Sequence, residues 1–220
     1  MEAASSDQPE PARRPQRMRA DGLRNRERLI EAAKDTFYEL GPQVSLDTIA
    51  RRAGVGIGTL YRHFPVRDAL IEAVCRAELE QLAGAAGNLL ETHAPGDALR
   101  LWMHLYVEFI ATNKLMAAAV SSICGISPNL YRSSVALVTD NPLLGANTDF
   151  YRSVTVLIND AADLLLARAK VAGDIQTEID TSDFLRALGG FTVTYGDNVE
   201  GWEDSARRLI DIFVAGLRAK

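Results

Sequence analysis

The sequence predicts an all-α fold: three short N-terminal helices followed by a larger helical bundle. Apolar residues recur at spacings of three and four along nearly every long segment, and no segment alternates in the manner of a strand. Glycine or proline punctuates the segments at the places where a helix would have to stop.

The first helix is expected from about Leu23, where Leu29, Ala32, Ala33, Phe37 and Leu40 form an apolar stripe. Gly41 and Pro42 end it, because glycine accepts the left-handed cap and proline cannot continue the turn. Ser45 begins the second helix as its N-cap, with Leu46, Ile49, Ala50 and Ala53 turned inward and Gly54 as its stop. A third helix is expected from Gly56 to Phe64, closed by Pro65. Further helices are expected at about 67–91, 96–113, 115–125, 128–139, 146–172, 181–195 and 203–218. The domains expected are a disordered basic arm (1–21), a head (22–67) and a body (68–220).

Charge divides along the same line. From Arg13 to Arg67 there are twelve Lys/Arg against six Asp/Glu, whereas residues 68–220 carry twelve against twenty. A basic N-terminal part on an acidic body implies a polyanion partner for the first part. Arg13, Arg14, Arg17 and Arg19 on the arm suit either a minor-groove contact or a solubilising extension. No apolar run approaches the length of a membrane span and the N-terminal residues lack the apolar core of a signal peptide, so a cytoplasmic protein without a membrane partner is expected. Cys75 and Cys124 stand in apolar helical contexts and are expected to be buried thiols. With only His63, His93 and His104, no HExxH and no nucleophile beside a base, no catalytic residue, metal site or cofactor is expected.

The stretch GVGIGTLYRHF, Gly54 to Phe64, places three glycines before a bulky cationic segment. A phosphate loop is excluded, since no GxxxxGK[ST] occurs and the preceding residues are helical, not a strand. A short helix, a glycine turn and a second short helix instead make a helix-turn-helix. Gly54 supplies the turn, while Gly56 and Gly58 leave the start of the third helix bare enough for a phosphate to approach its amides. Leu60 and Phe64 are expected in the core; Thr59, Tyr61, Arg62 and His63 face a groove, and Thr48 is a further phosphate candidate.

From Arg24 to Leu70 the order RNRERLIEAAKDTFYELG, SLDTIARRAGVGIGTLYRHF, PVRDAL resembles the TetR family of bacterial transcriptional regulators. The resemblance implies a homodimeric repressor whose third helix enters the major groove of a palindromic double-stranded DNA operator. It implies base or phosphate contacts from Gly58, Thr59, Tyr61 and His63, and a backbone clamp from Arg67. Gly56 stands where many members carry serine. It also implies that the terminal helices, about 181–218, pair with their copies as a four-helix bundle; on their apolar sides Phe184, Leu188, Phe191, Leu209, Ile210, Phe213 and Leu217 are the interface candidates, with an intrachain core as the alternative.

In the body, Trp102, Tyr106, Phe109 and Asn113 share one helix face, and Met116, Tyr131 and Phe150 are expected nearby. Such a lining suits a small hydrophobic effector, with His104, Asn159 or Asp160 as polar contacts; the same stripe is also the pattern of core packing. The expected mechanism is a ligand-dependent setting of the fourth helix that alters the separation of the two recognition helices.

Overall fold

The computed structural model describes residues 13–41, 43–112, 148–176, 178–193 and 201–218, with backbone alone for 13–19, 148–152 and 193. Among them are eight helices and no strand: α1 (Arg13–Leu40), α2 (Leu46–Arg52), α3 (Ile57–His63), α4 (Arg67–Thr92), α5 (Pro95–Thr112), α6 (Thr148–Val171), α7 (Thr181–Val193) and α8 (Trp202–Arg218). The helices expected at 115–125 and 128–139 lie outside the described residues, as does Cys124. The chain forms two compact units, residues 1–70 and 71–220.

In the first unit α1 begins at Arg13, ten residues before the start read from the apolar stripe, so part of the expected disordered arm is helical backbone. Arg, Gln, Met and Ala are good helix formers, Pro15 falls in the first turn where its missing N–H costs nothing, and extending a helix needs no new nucleus. Gly41 closes α1 at φ +81°, its N–H on the Phe37 carbonyl at 3.0 Å. Leu29, Ala33 and Phe37 are buried as expected, but Leu40 is exposed. Thr36 is buried instead, because its hydroxyl donates to the Ala32 carbonyl at 2.5 Å and so leaves no unpaired polar group. Ile49, Ala50, Ala53, Leu60, Phe64 and Leu70 complete this core.

In the second unit α5 lies at the centre, burying Ala98, Leu99, Trp102, Met103, Tyr106, Val107, Phe109 and Ile110 against residues of α4, α6, α7 and α8. One end is tied by polar contacts. The Gly96 N–H at the start of α5 donates to Asp174 Oδ2 at 2.7 Å, Arg218 reaches Asp97 at 3.0 Å, and the Gln176 N–H donates to the Leu217 carbonyl. A Cβ on Gly96 would lie 2.8 Å from Arg218 Nη2 and 2.9 Å from Asp174 Cβ, so this crossing needs glycine.

Candidate functional site

The geometry of the first unit is set by caps. Ser45, extended at φ −69° and ψ 142°, accepts from the Thr48 N–H at 3.2 Å and so starts α2. Gly54 ends it at φ +63°, and Val55 N–H returns to the Ala50 carbonyl at 2.9 Å. Gly56 then caps α3 without a side chain, its carbonyl accepting from Thr59 and Leu60. A Cβ on Gly56 or Gly58 would meet nothing within 4 Å, so both glycines border open space. Arg52 joins α2 to α1 through Glu39 at 2.6 Å, and Arg26 lies 5.4 Å above the Phe64 ring.

Leu60 and Phe64 anchor α3, as expected, and the polar residues stay outside. Tyr61 is 50% exposed and Arg62 and Gly58 are exposed, while Thr59 and His63 are half-buried. The His63 ring leans on Phe64, with centroids 6.4 Å apart. Arg62 lies back along its own helix, Nε donating to the Gly58 carbonyl at 3.2 Å and Nη2 to Thr59 Oγ1 at 2.8 Å. Two more of the expected contacts also have partners within the chain. The Thr48 hydroxyl bonds that of Ser45 at 2.9 Å, and Arg67 Nη2 donates to the Val44 carbonyl at 2.5 Å, tying the start of α4 to the residue before the α2 cap. The link between Arg67 and the α1–α2 connection was not legible in the sequence because it joins residues 23 apart.

The expected effector residues lie differently. Trp102, Tyr106 and Phe109 are packed into the core, and Trp102 Nε1 donates to the Leu82 carbonyl at 2.8 Å. Asn113, Met116 and Tyr131 lie outside the described residues, and of Phe150 only the backbone is described. Asn159 donates to the Thr155 carbonyl of its own helix, and Asp160 is exposed. An open groove of about 380 Å³ is lined by Leu89, Leu101, His104, Leu105, Glu108 and Arg207. Of these only His104 carried a sequence signal, since a groove assembled from three helices has no local pattern. His104 Nε2 is buried 3.1 Å from Asp211 Oδ1 without a well-aimed hydrogen bond. Burial pushes its pKa below the ordinary 6.5, Asp211 opposes this, and Arg100 and Arg207 add to the lowering.

The residues expected at an interface between copies divide in two. Phe184, Leu188, Ile210 and Leu217 are buried within the chain, and half-buried Phe213 packs on Phe184 and on Phe191. Leu209 is 36% exposed. Ile212, not among the expected residues, is 68% exposed on the outer side of α8. No helix among the described residues is long and apolar enough to cross a membrane.

A capped three-helix head with α3 presenting an arginine, a tyrosine and a histidine defines a helix-turn-helix DNA-binding protein. Residues 29–74 match the model of the bacterial regulatory proteins of the tetR family, and residues 94–219 match that of the SbtR-like transcriptional regulator C-terminal domain. The chain belongs to the TetR family of bacterial transcriptional regulators. Among solved structures it is similar to a TetR transcriptional regulator from Streptomyces coelicolor, at 33% identity and TM-score 0.64 over 89% of this chain and 99% of that one. It is likewise similar to a TetR regulatory protein from Mycobacterium vanbaalenii, at 30% identity and TM-score 0.64 over 92% and 99%. A curated HTH-type transcriptional regulator from Staphylococcus aureus is 28% identical over 107 residues, 48% of this chain and 58% of that relative's length.

Proposed function

We propose that the chain is a homodimeric repressor that binds a palindromic double-stranded operator through α3 and is released from it by a small hydrophobic ligand. The observation that carries the reading is the exposed polar face of α3 held on a fully apolar inner side. Tyr61, Arg62 and His63 meet the DNA, with Thr59 beside them on the same face of α3 and Gly58 permitting close approach. Thr48 and Arg67 contribute through the cap and turn they hold, adding phosphate contacts from the edge of the site. One seven-residue helix spans too few base pairs for a unique address, and a two-fold partner supplies a second half-site about 34 Å away.

The homodimer reading is supported by α8, whose inner side is used within the chain and whose outer side leaves Leu209 and Ile212 uncovered. Phe184, Leu188, Phe191, Ile210, Phe213 and Leu217 then support the interface from behind. The ligand reading is supported by the apolar groove beside His104 and Arg207. A ligand acts only if it binds the DNA-competent and released states with different affinity. The test is sedimentation of wild-type and Ile212→Arg protein with and without a duplex selected from random sequence. The reading expects a wild-type dimer, a folded monomeric variant with weakened duplex binding, and release of the wild-type complex by an apolar compound. A wild-type monomer on DNA would remove the homodimer, and an undisturbed variant dimer would remove the α8 face.

A further inference from the structure

The two hydrogen bonds that hold Arg62 divide its guanidinium in a specific way. A guanidinium carries five N–H donors in one plane. Nε–H and one Nη2–H form one edge of that plane, and here both are used, toward the Gly58 carbonyl at 3.2 Å and Thr59 Oγ1 at 2.8 Å. The remaining edge, one N–H from Nη1 and one from Nη2, has the parallel spacing that meets the O6 and N7 acceptors of guanine. Among the described residues no acceptor meets Nη1. The helix provides the holding groups by periodicity: Thr59 is three residues before Arg62, and the Gly58 carbonyl four before it.

Thr59 is suited to this task for a second reason. It is half-buried, while Arg62 is exposed. A β-branched side chain in a helix has few χ1 settings, so its hydroxyl stays where the packing puts it. An exposed arginine without such a partner samples many rotamers and reaches neighbouring phosphates as readily as a base edge.

We propose that Thr59 is a positioning residue for sequence readout: its hydroxyl holds the Arg62 guanidinium so that the Nη1/Nη2 edge reads a guanine in each half-site. This rests on the reading of α3 as the helix that meets base edges. Thr59 thereby acts on specificity, and the gross affinity for DNA comes from elsewhere in the head.

The experiment uses the full chain as wild type, Arg62→Ala, Thr59→Val, Thr59→Ser and the Thr59→Val/Arg62→Ala double variant. The probe is a duplex enriched by the wild type from a library of random sequence, together with its single-base-pair substitutions, measured at several salt concentrations. Valine keeps the shape of threonine without the acceptor, and serine keeps the acceptor. Arg62→Ala is expected to reduce the guanine preference at one position per half-site by roughly 5- to 150-fold. Thr59→Val should reduce the same preference by roughly 3- to 10-fold, the size of a modest coupling between neighbours, with the salt slope unchanged. Thr59→Ser should retain the preference, and the double variant should match Arg62→Ala alone. A Thr59→Val protein that binds every duplex more weakly by one common factor, with a shallower salt slope, would show Thr59 to be a phosphate contact and overturn the proposal. Retention of the preference in Thr59→Val, where Arg62→Ala loses it, overturns the positioning role alone. Uniform weakening by Arg62→Ala overturns the base-reading role of α3's arginine and the positioning with it.

Discussion

The first unit keeps its chemically versatile side chains outside, on helices of seven residues whose ends are set by Ser45, Gly54 and Gly56. The second unit takes its largest aromatic side chains inside, on longer helices, and satisfies the one indole N–H among them with the Leu82 carbonyl. Both units carry aromatics and arginines at helical spacing, so spacing alone does not separate binding residues from packing residues. The distinction is whether the polar atom of the residue is completed within the chain. Trp102 is completed, and Tyr61 stands half in solvent. Arg62 is completed on one edge of its fork and open on the other.

The largest expected effect tests the buried side of that contrast. Trp102→Ala removes a fully buried indole and should destabilise the second unit by about 3–5 kcal/mol. Both tryptophans, Trp102 and Trp202, lie in that unit, so the remaining Trp202 fluorescence reports its unfolding in urea. A change below about 1 kcal/mol would mean that Trp102 is a pocket wall and not a packing residue. Next is Gly54→Ala in the head. The added Cβ would meet only the mobile end of Arg28, at 2.6 Å, so the cost comes from the backbone at φ +63° and should be about 1–2 kcal/mol. Far-ultraviolet circular dichroism on melting checks it. Gly54→Asn should cost less, because asparagine tolerates that conformation; equal losses would assign the penalty to the Arg28 contact.

A smaller effect is expected from His104. Its folded-state pKa is lowered, chiefly by burial, so the folded chain binds fewer protons there than the unfolded chain does. That contribution is complete above the unfolded value of 6.5 and is lost as pH falls through the lower folded value. Urea titrations followed by Trp fluorescence should therefore show the second unit weakening on acidification, with a shallower dependence in His104→Gln. Identical pH dependence in the two proteins would mean that Asp211 offsets the burial and leaves the pKa unshifted, and a steeper loss in His104→Gln would mean that Asp211 holds the imidazolium. The smallest effect is expected at the surface of the head, where Arg26→Ala loses a cation–π contact with Phe64 worth about 0.5–1 kcal/mol. Its melting should shift by a few degrees while the unfolding read by Trp202 does not move.

Much of the head was legible because its determinants are local. Gly41 and Gly54 take the positive φ expected of helix stops, Ser45 caps α2, and Leu60 and Phe64 face inward at the spacing of one turn. The start of α1 was missed because its polar residues carry no apolar period, although their propensity supports the helix that follows. Leu40 was misplaced because the stripe continues past the last turn that has anything to pack against.

In the second unit the sequence determined that the segments are helices and which residues share a face, since both follow from spacing within one element. Only the tertiary structure decided what each face meets. Phe184, Leu188, Ile210 and Leu217 are buried by the chain's own helices, while Leu209 and Ile212 stay outside. Trp102 likewise meets a carbonyl 20 residues earlier, as Arg67 of the first unit meets one 23 residues earlier. Apolar burial is non-directional, so an amphipathic face specifies that it will be covered but not by what. The partner is chosen by the joint packing of elements distant in sequence, whose pairing leaves no periodic trace in either one.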